Sequence, residues 1–320
     1  VQYKSSLPFR FKKRTDNEAQ TIDTSIATTG RLDLRDTHHV TIDGEFAKDF
    51  DDAVCIEKTN KGFILFVSIA DVSHYVSPGS GLDREAYERG TSVYFPGTVV
   101  PMLPKTLSNV ICSLNPNEDR LAMTVKLAFN TNGDLTGSSF HKSIIRSFLR
   151  LTYNEVEDAL IRKDRTIRKE VQRILPSLEY MGELASLLST KREKRGSLDF
   201  DLPESDVILD IEGDIHDVLR AERLFSHRII EEFMIAANEA VADFLTENKA
   251  NTMYRIHDPP DTEKVKDFEK LLQALSIGYK RDTKNIKSLQ TVLRDVEGTD
   301  YEFLVNRVLL RSMKQARYSS

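Results

Sequence analysis

Within TIDGEFAKDFDDAV, residues 41–54, five carboxylates (Asp43, Glu45, Asp49, Asp51 and Asp52) fall inside ten residues, and Lys48 is the one cation among them. Two carboxylates about 4 Å apart repel by roughly 4 kcal/mol at an effective dielectric near 20, so a cluster that converges must protonate, splay into water or hold a counter-ion. Hard oxygen donors with no Cys or His interleaved suit Mg²⁺, with Mn²⁺ as a substitute, and such ions keep waters that a phosphate can displace. Charge content alone supports a plainer reading, a solvated acidic loop.

Spacing separates the chemistries an acidic cluster can serve. A calcium-binding EF-hand loop opening at Asp49 needs oxygen at 53, Gly at 54 and Glu at 60, where the chain has Ala53, Val54 and Asn60. A haloacid-dehalogenase-like phosphatase needs an apolar strand leading into its DxD, whereas here EFAK precedes Asp49 and the apolar strand follows it. What remains is Asp-x5-Asp-x-Asp-Asp starting at Asp43. In an extended stretch Asp49 and Asp51 share one side and Asp52 the other, so a bend is needed to converge them with Asp43.

The elements that must position these residues are legible as a change of period. From RLDLRD onward the chain is β-rich: VTID, AVCIEK and FILFVSIADV, the last two joined by a turn at NKG, and LAMTVKLAFNTNGDLTGSSFHKSIIRS, a hairpin turning at TNGD. The acidic cluster therefore lies on a loop between strands. Residues 84–90 read as a short helix, and TSVYFPG and TVVPMLP as extended segments. Beyond them the period becomes helical: TYNEVEDALI after a cap at Thr152 or Asn154, then SLEYMGELASLLSTKREKR. LFSHRIIEEFMIAANEAVADFLTEN places apolar residues at 225, 229, 230, 233, 234, 237, 241, 244 and 245. DTEKVKDFEKLLQALSIGY and YEFLVNRVLLRSMKQARYSS read as helices too. The expected class is α+β, with antiparallel strands early and helices late.

Composition sets wider bounds. The chain has 320 residues, 40% hydrophobic and 30% charged, with a net charge of −5, enough for one large domain or two smaller ones. Its two cysteines, Cys55 and Cys112, lie in apolar surroundings, which predicts buried free thiols and a reducing cytoplasm. No run of 18 apolar residues predicts a membrane span. The acidic total argues against a surface that grips nucleic acid throughout, though it allows a basic groove.

In chain order, RLDLRDTHHVTIDGEFAKDFDDAV, SIADVSHYV, VYFPGTVVPMLP, SNVICSLNPNEDRLAMTV, RLTYNEVEDAL, KREKRGSLDFDLPE and HRIIEEFMIAAN resemble the RNB catalytic domain of the ribonuclease II and ribonuclease R exoribonucleases, over nearly all of residues 31–320. The wording of SIADVSHYV and KREKRG is closer to the ribonuclease R branch. The resemblance implies a sheet surrounded by helices that form a channel for unpaired RNA, and processive 3′-to-5′ hydrolysis of single-stranded RNA to nucleoside 5′-monophosphates with Mg²⁺. It assigns Asp43 and Asp52 as principal metal ligands, Asp51 as the aspartate on which hydrolysis depends most, and Asp49 as a supporting or second-metal ligand. It further implies that Tyr94 and Phe200 clamp stacked terminal bases, and that Tyr153 and Glu231 sense the ribose 2′-hydroxyl. Without it, Tyr94 and Phe200 read as core aromatics and Glu231 as a polar position on an apolar helix. Asp71 and His74 are read as structural.

The family's Ser-Pro-Ile-Arg-Arg-Tyr-like motif, whose arginine contacts the phosphate near the cleavage point, and its S1 domain are not found in the sequence. The expectation is therefore a C-terminally incomplete catalytic domain at 31–320, preceded at 1–30 by a linker or the tail of an upstream cold-shock-like domain, acting as a cytoplasmic monomer on single-stranded RNA. The alternative is an RNA-binding or structural relative, or a fragment inactive without that arginine. Retention of all four aspartates favours the enzyme.

Overall fold

The long apolar runs become a mixed sheet. In the computed structural model, which describes residues 7–198, 204–209, 215–278 and 286–320, the strands up to residue 152 are β1 (Leu32–Leu34), β2 (Val40–Asp43), β3 (Asp52–Thr59), β4 (Gly62–Ala70), β5 (Val93–Phe95), β6 (Thr98–Val100), β7 (Asp119–Asn130), β8 (Leu135–Arg146) and β9 (Leu149–Thr152). Seven of them form one sheet in the order β1-β8-β7-β4-β3-β2-β9, and β5 and β6 make a separate hairpin. The β3-β4-β7-β8 meander is antiparallel, as the sequence predicts. The parallel pairs β1–β8 and β2–β9, which it does not predict, close the two edges. The β3–β4 turn needs Gly62, whose φ is +135° and where a Cβ would strike the Phe129 carbonyl.

The helices are α1 (Lys13–Gln20), α2 (Val72–Tyr75), α3 (Gly81–Arg89), α4 (Tyr153–Glu157), α5 (Arg165–Glu170), α6 (Leu175–Arg195), α7 (Phe225–Glu247), α8 (Thr262–Ala274), α9 (Ile286–Val296) and α10 (Glu302–Ser312). The polar N-terminal stretch holds α1 because tertiary contacts fix it. Arg89 stacks its guanidinium on the Phe11 ring at 3.7 Å and donates to the Pro8 and Arg10 carbonyls, and Ala19 enters the core. The helix expected over the last twenty residues is shorter: α10 stops at Ser312, and Arg317–Ser319 pairs as a strand with Tyr254–Ile256, anchored by the Arg317–Asp258 ion pair. Among the described residues no helix is long and apolar enough to cross a membrane.

The chain divides into two compact units, one made of residues 1–185, 207–219 and 223–237 and the other of 186–206, 220–222 and 238–320. The first contains the seven-stranded sheet. One side of its core gathers Phe50, Ala53, Cys55, Phe66, Ala70, Leu82, Leu107, Cys112 and Leu114. Both thiols are free and buried, and burial pushes each up to about 12, so they are packing groups rather than nucleophiles. The second unit packs α8, α9 and α10 around Phe268, Leu272, Leu289, Val292, Val305 and Leu309.

A polar chain runs through the buried sheet. His39 bonds Thr37 through Nδ1 (2.7 Å) and Ser68 through Nε2 (3.0 Å), and hydroxyl contacts continue to Thr124 (2.7 Å) and Ser143 (2.6 Å), whose Oγ donates to the Ala122 carbonyl. Every member has a partner, which is the condition for tolerating buried polar groups. Burial holds the His39 imidazole down at about 4. Its folded value lies below the unfolded value near 6.5, so stability is whole above pH 6.5 and declines as pH falls toward 4, by at most about 3 kcal/mol. Between pH 7 and 4.5 the unfolding free energy of the parent should fall relative to that of His39→Gln, which cannot titrate, because groups that titrate in both proteins cancel in the difference. Parallel profiles for the two proteins would exclude the imidazole as the cause.

Candidate active site

One apolar anchor and three backbone bonds shape the loop between β2 and β3. Phe50 enters the core; its N–H donates to Ser113 Oγ (3.0 Å) and its carbonyl accepts from Leu114 N–H (2.9 Å), while Asp51 O accepts from Ala70 N–H (2.9 Å). With Phe50 turned inward, Asp49 and Asp51 on either side of it are directed away from the core. Asp43 closes β2, in parallel register with Thr152 at the end of β9, and Asp52 opens β3. The loop thus returns its last two aspartates toward the first.

The side chains share one electrostatic field. Burial, then the charge of Asp52, pushes Asp43 up to about 7; the Arg150 guanidinium opposes this, and Asp51 and Asp49 add to it. Asp52 is pushed up to about 6 by burial and Asp51, and Asp51 is raised by burial and Asp49. A carboxylate that is both half-buried and crowded by like charges is hard to ionise unless cationic charge is supplied. Asp43 Oδ2 is in addition buried without a hydrogen-bond partner. That orphaned acceptor, together with an all-oxygen donor set, fits a hard divalent cation held by Asp43, Asp52 and the flanking aspartates. Among the described residues no three His, Cys, Asp or Glu side chains form a finished ligand group, so the aspartates share a field rather than a closed coordination shell.

Tyr94 stands at this cluster. It lies in β5, 63% exposed, and its hydroxyl donates to Asp49 Oδ2 (3.0 Å), so the reading of it as a core aromatic is overturned. Tyr153 opens α4, fixed by a capping box in which Glu155 N–H donates to Thr152 Oγ1 and Thr152 N–H to Glu155 Oε2. Burial, then Asp43 and Asp52, pushes its hydroxyl up to about 12, which places the ring within the field of the cluster. Glu231 lies on α7 and pairs with Arg223 at 2.6 Å. Phe200 lies outside the described residues. Asp71 and His74 both lie beside Arg31, as structural residues would.

Two contributors were not legible in the sequence. Arg150 stands in β9 opposite Thr41, donates to the Gly44 and Glu45 carbonyls (both 2.8 Å) and so braces the loop beside Asp43. Ser113 pins Phe50 from 63 residues away. A cation two residues before the capping Thr152 was the one available signal for the first, and no local signal marks the second.

The profile of the RNB domain family matches residues 31–320. Ribonuclease R of Aquifex aeolicus is 44% identical over 321 residues, covering 99% of this chain and 45% of that protein. Ribonuclease R of Escherichia coli is 42% identical over 297 residues, covering 91% and 36%. Among solved structures, RNase R of Mycoplasma genitalium in complex with ribose methylated single-stranded RNA superposes with a TM-score of 0.90 at 30% identity, covering 98% of this chain and 50% of that one. The chain therefore spans half or less of the length of these relatives.

Proposed function

Because this chain belongs to the RNB domain family, we propose that it is the hydrolytic core of a ribonuclease R-like enzyme that removes nucleotides from the 3′ end of single-stranded RNA as nucleoside 5′-monophosphates. The observation that carries this is the acidic field at Asp43, Asp49, Asp51 and Asp52 with its orphaned Asp43 oxygen, on a chain matched to the family throughout 31–320. Asp43 and Asp52 would hold the divalent ion, with Asp49 supporting. Once bound, Mg²⁺ or Mn²⁺ supplies charge neutralisation and orientation at the scissile phosphate. Asp51, raised above its ordinary value beside them, is proposed to accept a hydrogen bond from the attacking water and to orient it in line with the leaving oxygen. Tyr94 offers an exposed ring next to Asp49 on which a terminal base can stack, and Phe200 is its proposed counterpart. Tyr153 and Glu231 are proposed to meet the ribose 2′-hydroxyl, a group that both donates and accepts.

The ring of Tyr94 should matter more than its hydroxyl. Tyr94→Ala is expected to weaken single-stranded RNA binding by about 1–3 kcal/mol whatever the terminal base, while Tyr94→Phe retains most of the affinity. Fluorescence anisotropy with homopolymeric oligonucleotides separates the outcomes; an equal loss in both variants would assign the role to the Asp49 hydrogen bond instead.

The reaction itself is tested by incubating a 5′-labelled single-stranded RNA with the protein in Mg²⁺ and in chelator. A ladder of 3′-shortened products that disappears with chelator supports the enzyme. A retarded intact band in both conditions would make this chain a binding relative.

A further inference from the structure

The first turn of α7 is fastened to α4 at two points. Leu224, just before α7, donates its N–H to His227 Nδ1 (3.1 Å), which fixes the imidazole against its own helix and puts the ring N–H at Nε2. The fully buried Ser226 donates its N–H to Glu157 Oε2 of α4 (3.0 Å). Tyr153 and Glu157 are four residues apart on α4 and so share a face. That face lays the Tyr153 ring on His227, with centroids 3.9 Å apart and planes 24° from parallel. Along α7, Glu231 follows His227 by four residues on the same side. His227 is therefore common ground between the two residues read above as ribose sensors.

We propose that His227 is a positioning residue that holds the Tyr153 ring in the orientation from which its hydroxyl meets the ribose 2′-hydroxyl, and thereby sets the preference for RNA over DNA at the 3′ terminus. The inference rests on the reading of Tyr153 as a ribose sensor. Its physical content is restriction: a phenol at the start of a short helix has free rotamers unless something flat covers one face, and an imidazole tied to the Leu224 N–H is such a cover. Glu157 keeps the two helices in register so that the cover stays in place.

The test compares all-ribose RNA with the same oligonucleotide carrying a single 2′-deoxyribose moved through its four terminal positions. Affinities are measured in chelator and hydrolysis rates in Mg²⁺, in the full-length polypeptide. Parent, Tyr153→Ala, His227→Ala and His227→Phe are compared. His227→Ala should lower the ribose preference by roughly three- to tenfold, the size of a lost ring contact, and His227→Phe, which restores a flat ring, should recover most of it. A general loss of structure would lower rates on both substrates without moving the ratio, and that result would overturn the proposal. So would a parental ratio in His227→Ala beside a collapsed ratio in Tyr153→Ala. An unchanged ratio in Tyr153→Ala would overturn the sensor reading itself and the inference with it.

Discussion

Asp51→Asn is expected to slow RNA hydrolysis on the order of 10³-fold while leaving single-stranded RNA bound as tightly as before or slightly more so. The substitution is isosteric, and the backbone carbonyl of residue 51 still accepts from Ala70 N–H, so the loop keeps its shape. What changes is one negative charge and one acceptor beside the proposed attack trajectory. Asp51 lies near Asp49 and Asp52 in a field that repels phosphate, so removing its charge favours RNA binding even as it removes the group proposed to orient water. A residue needed only to retain the ion behaves differently. Asp43→Asn should raise the Mg²⁺ concentration needed for half-maximal rate, and excess Mg²⁺ should restore part of the activity, whereas no Mg²⁺ concentration should restore Asp51→Asn. Single-turnover rates across a Mg²⁺ titration, with affinities measured in parallel, distinguish the two. Hydrolysis by Asp51→Asn within tenfold of the parent would remove Asp51 from the chemical step.

The acidic spacing was readable because it is local: Asp43 to Asp52 span ten residues, and the apolar strand after them is a plain signal. The loop position of the cluster, the β3–β4 and β7–β8 hairpins and the long α7 follow from period and turn chemistry in the same way. What stayed hidden is non-local. Nothing near Ser113 says that its hydroxyl will pin Phe50, and nothing near Arg150 says that parallel pairing of β9 with β2 will bring a guanidinium's charge to bear on Asp43. The polar chain from His39 through Ser68 and Thr124 to Ser143 defies the rule that buried strand positions are apolar. Its partners stand on different strands and meet only in the assembled sheet. Tyr94 could equally have been a core residue, because an aromatic between Val93 and Phe95 carries no mark of which way it faces; its exposure and its bond to Asp49 are tertiary facts.

Arg31→Met is expected to destabilise the sheet-bearing unit by about 3–5 kcal/mol, the largest loss of stability at any single ion pair described above. Arg31 and Asp71 are 4% and 1% exposed in their side chains and 2.6 Å apart, joining the residue before β1 to the residue after β4. Burial opposes ionisation of Asp71, but the Arg31 and Ser73 hydrogen bonds outweigh it and hold the carboxyl below its ordinary value. The carboxylate is therefore charged at neutral pH and depends on its guanidinium. Met keeps the length of the stem and removes the charge, which leaves Asp71 ionised and dry without its ion-pair partner. The double change Arg31→Met with Asp71→Leu removes both charges and should recover most of the loss, since a buried pair is costly to break but seldom costly to replace with apolar groups. Urea unfolding midpoints for the parent, the two single variants and the double variant give the coupling directly. The effect should reach the site as well: Ala70, next to Asp71, carries the N–H that holds the Asp51 carbonyl, so Arg31→Met should slow hydrolysis even at temperatures where it remains folded. An unfolding free energy within about 0.5 kcal/mol of the parent would place the pair among the weak surface contacts and separate it from the acidic loop.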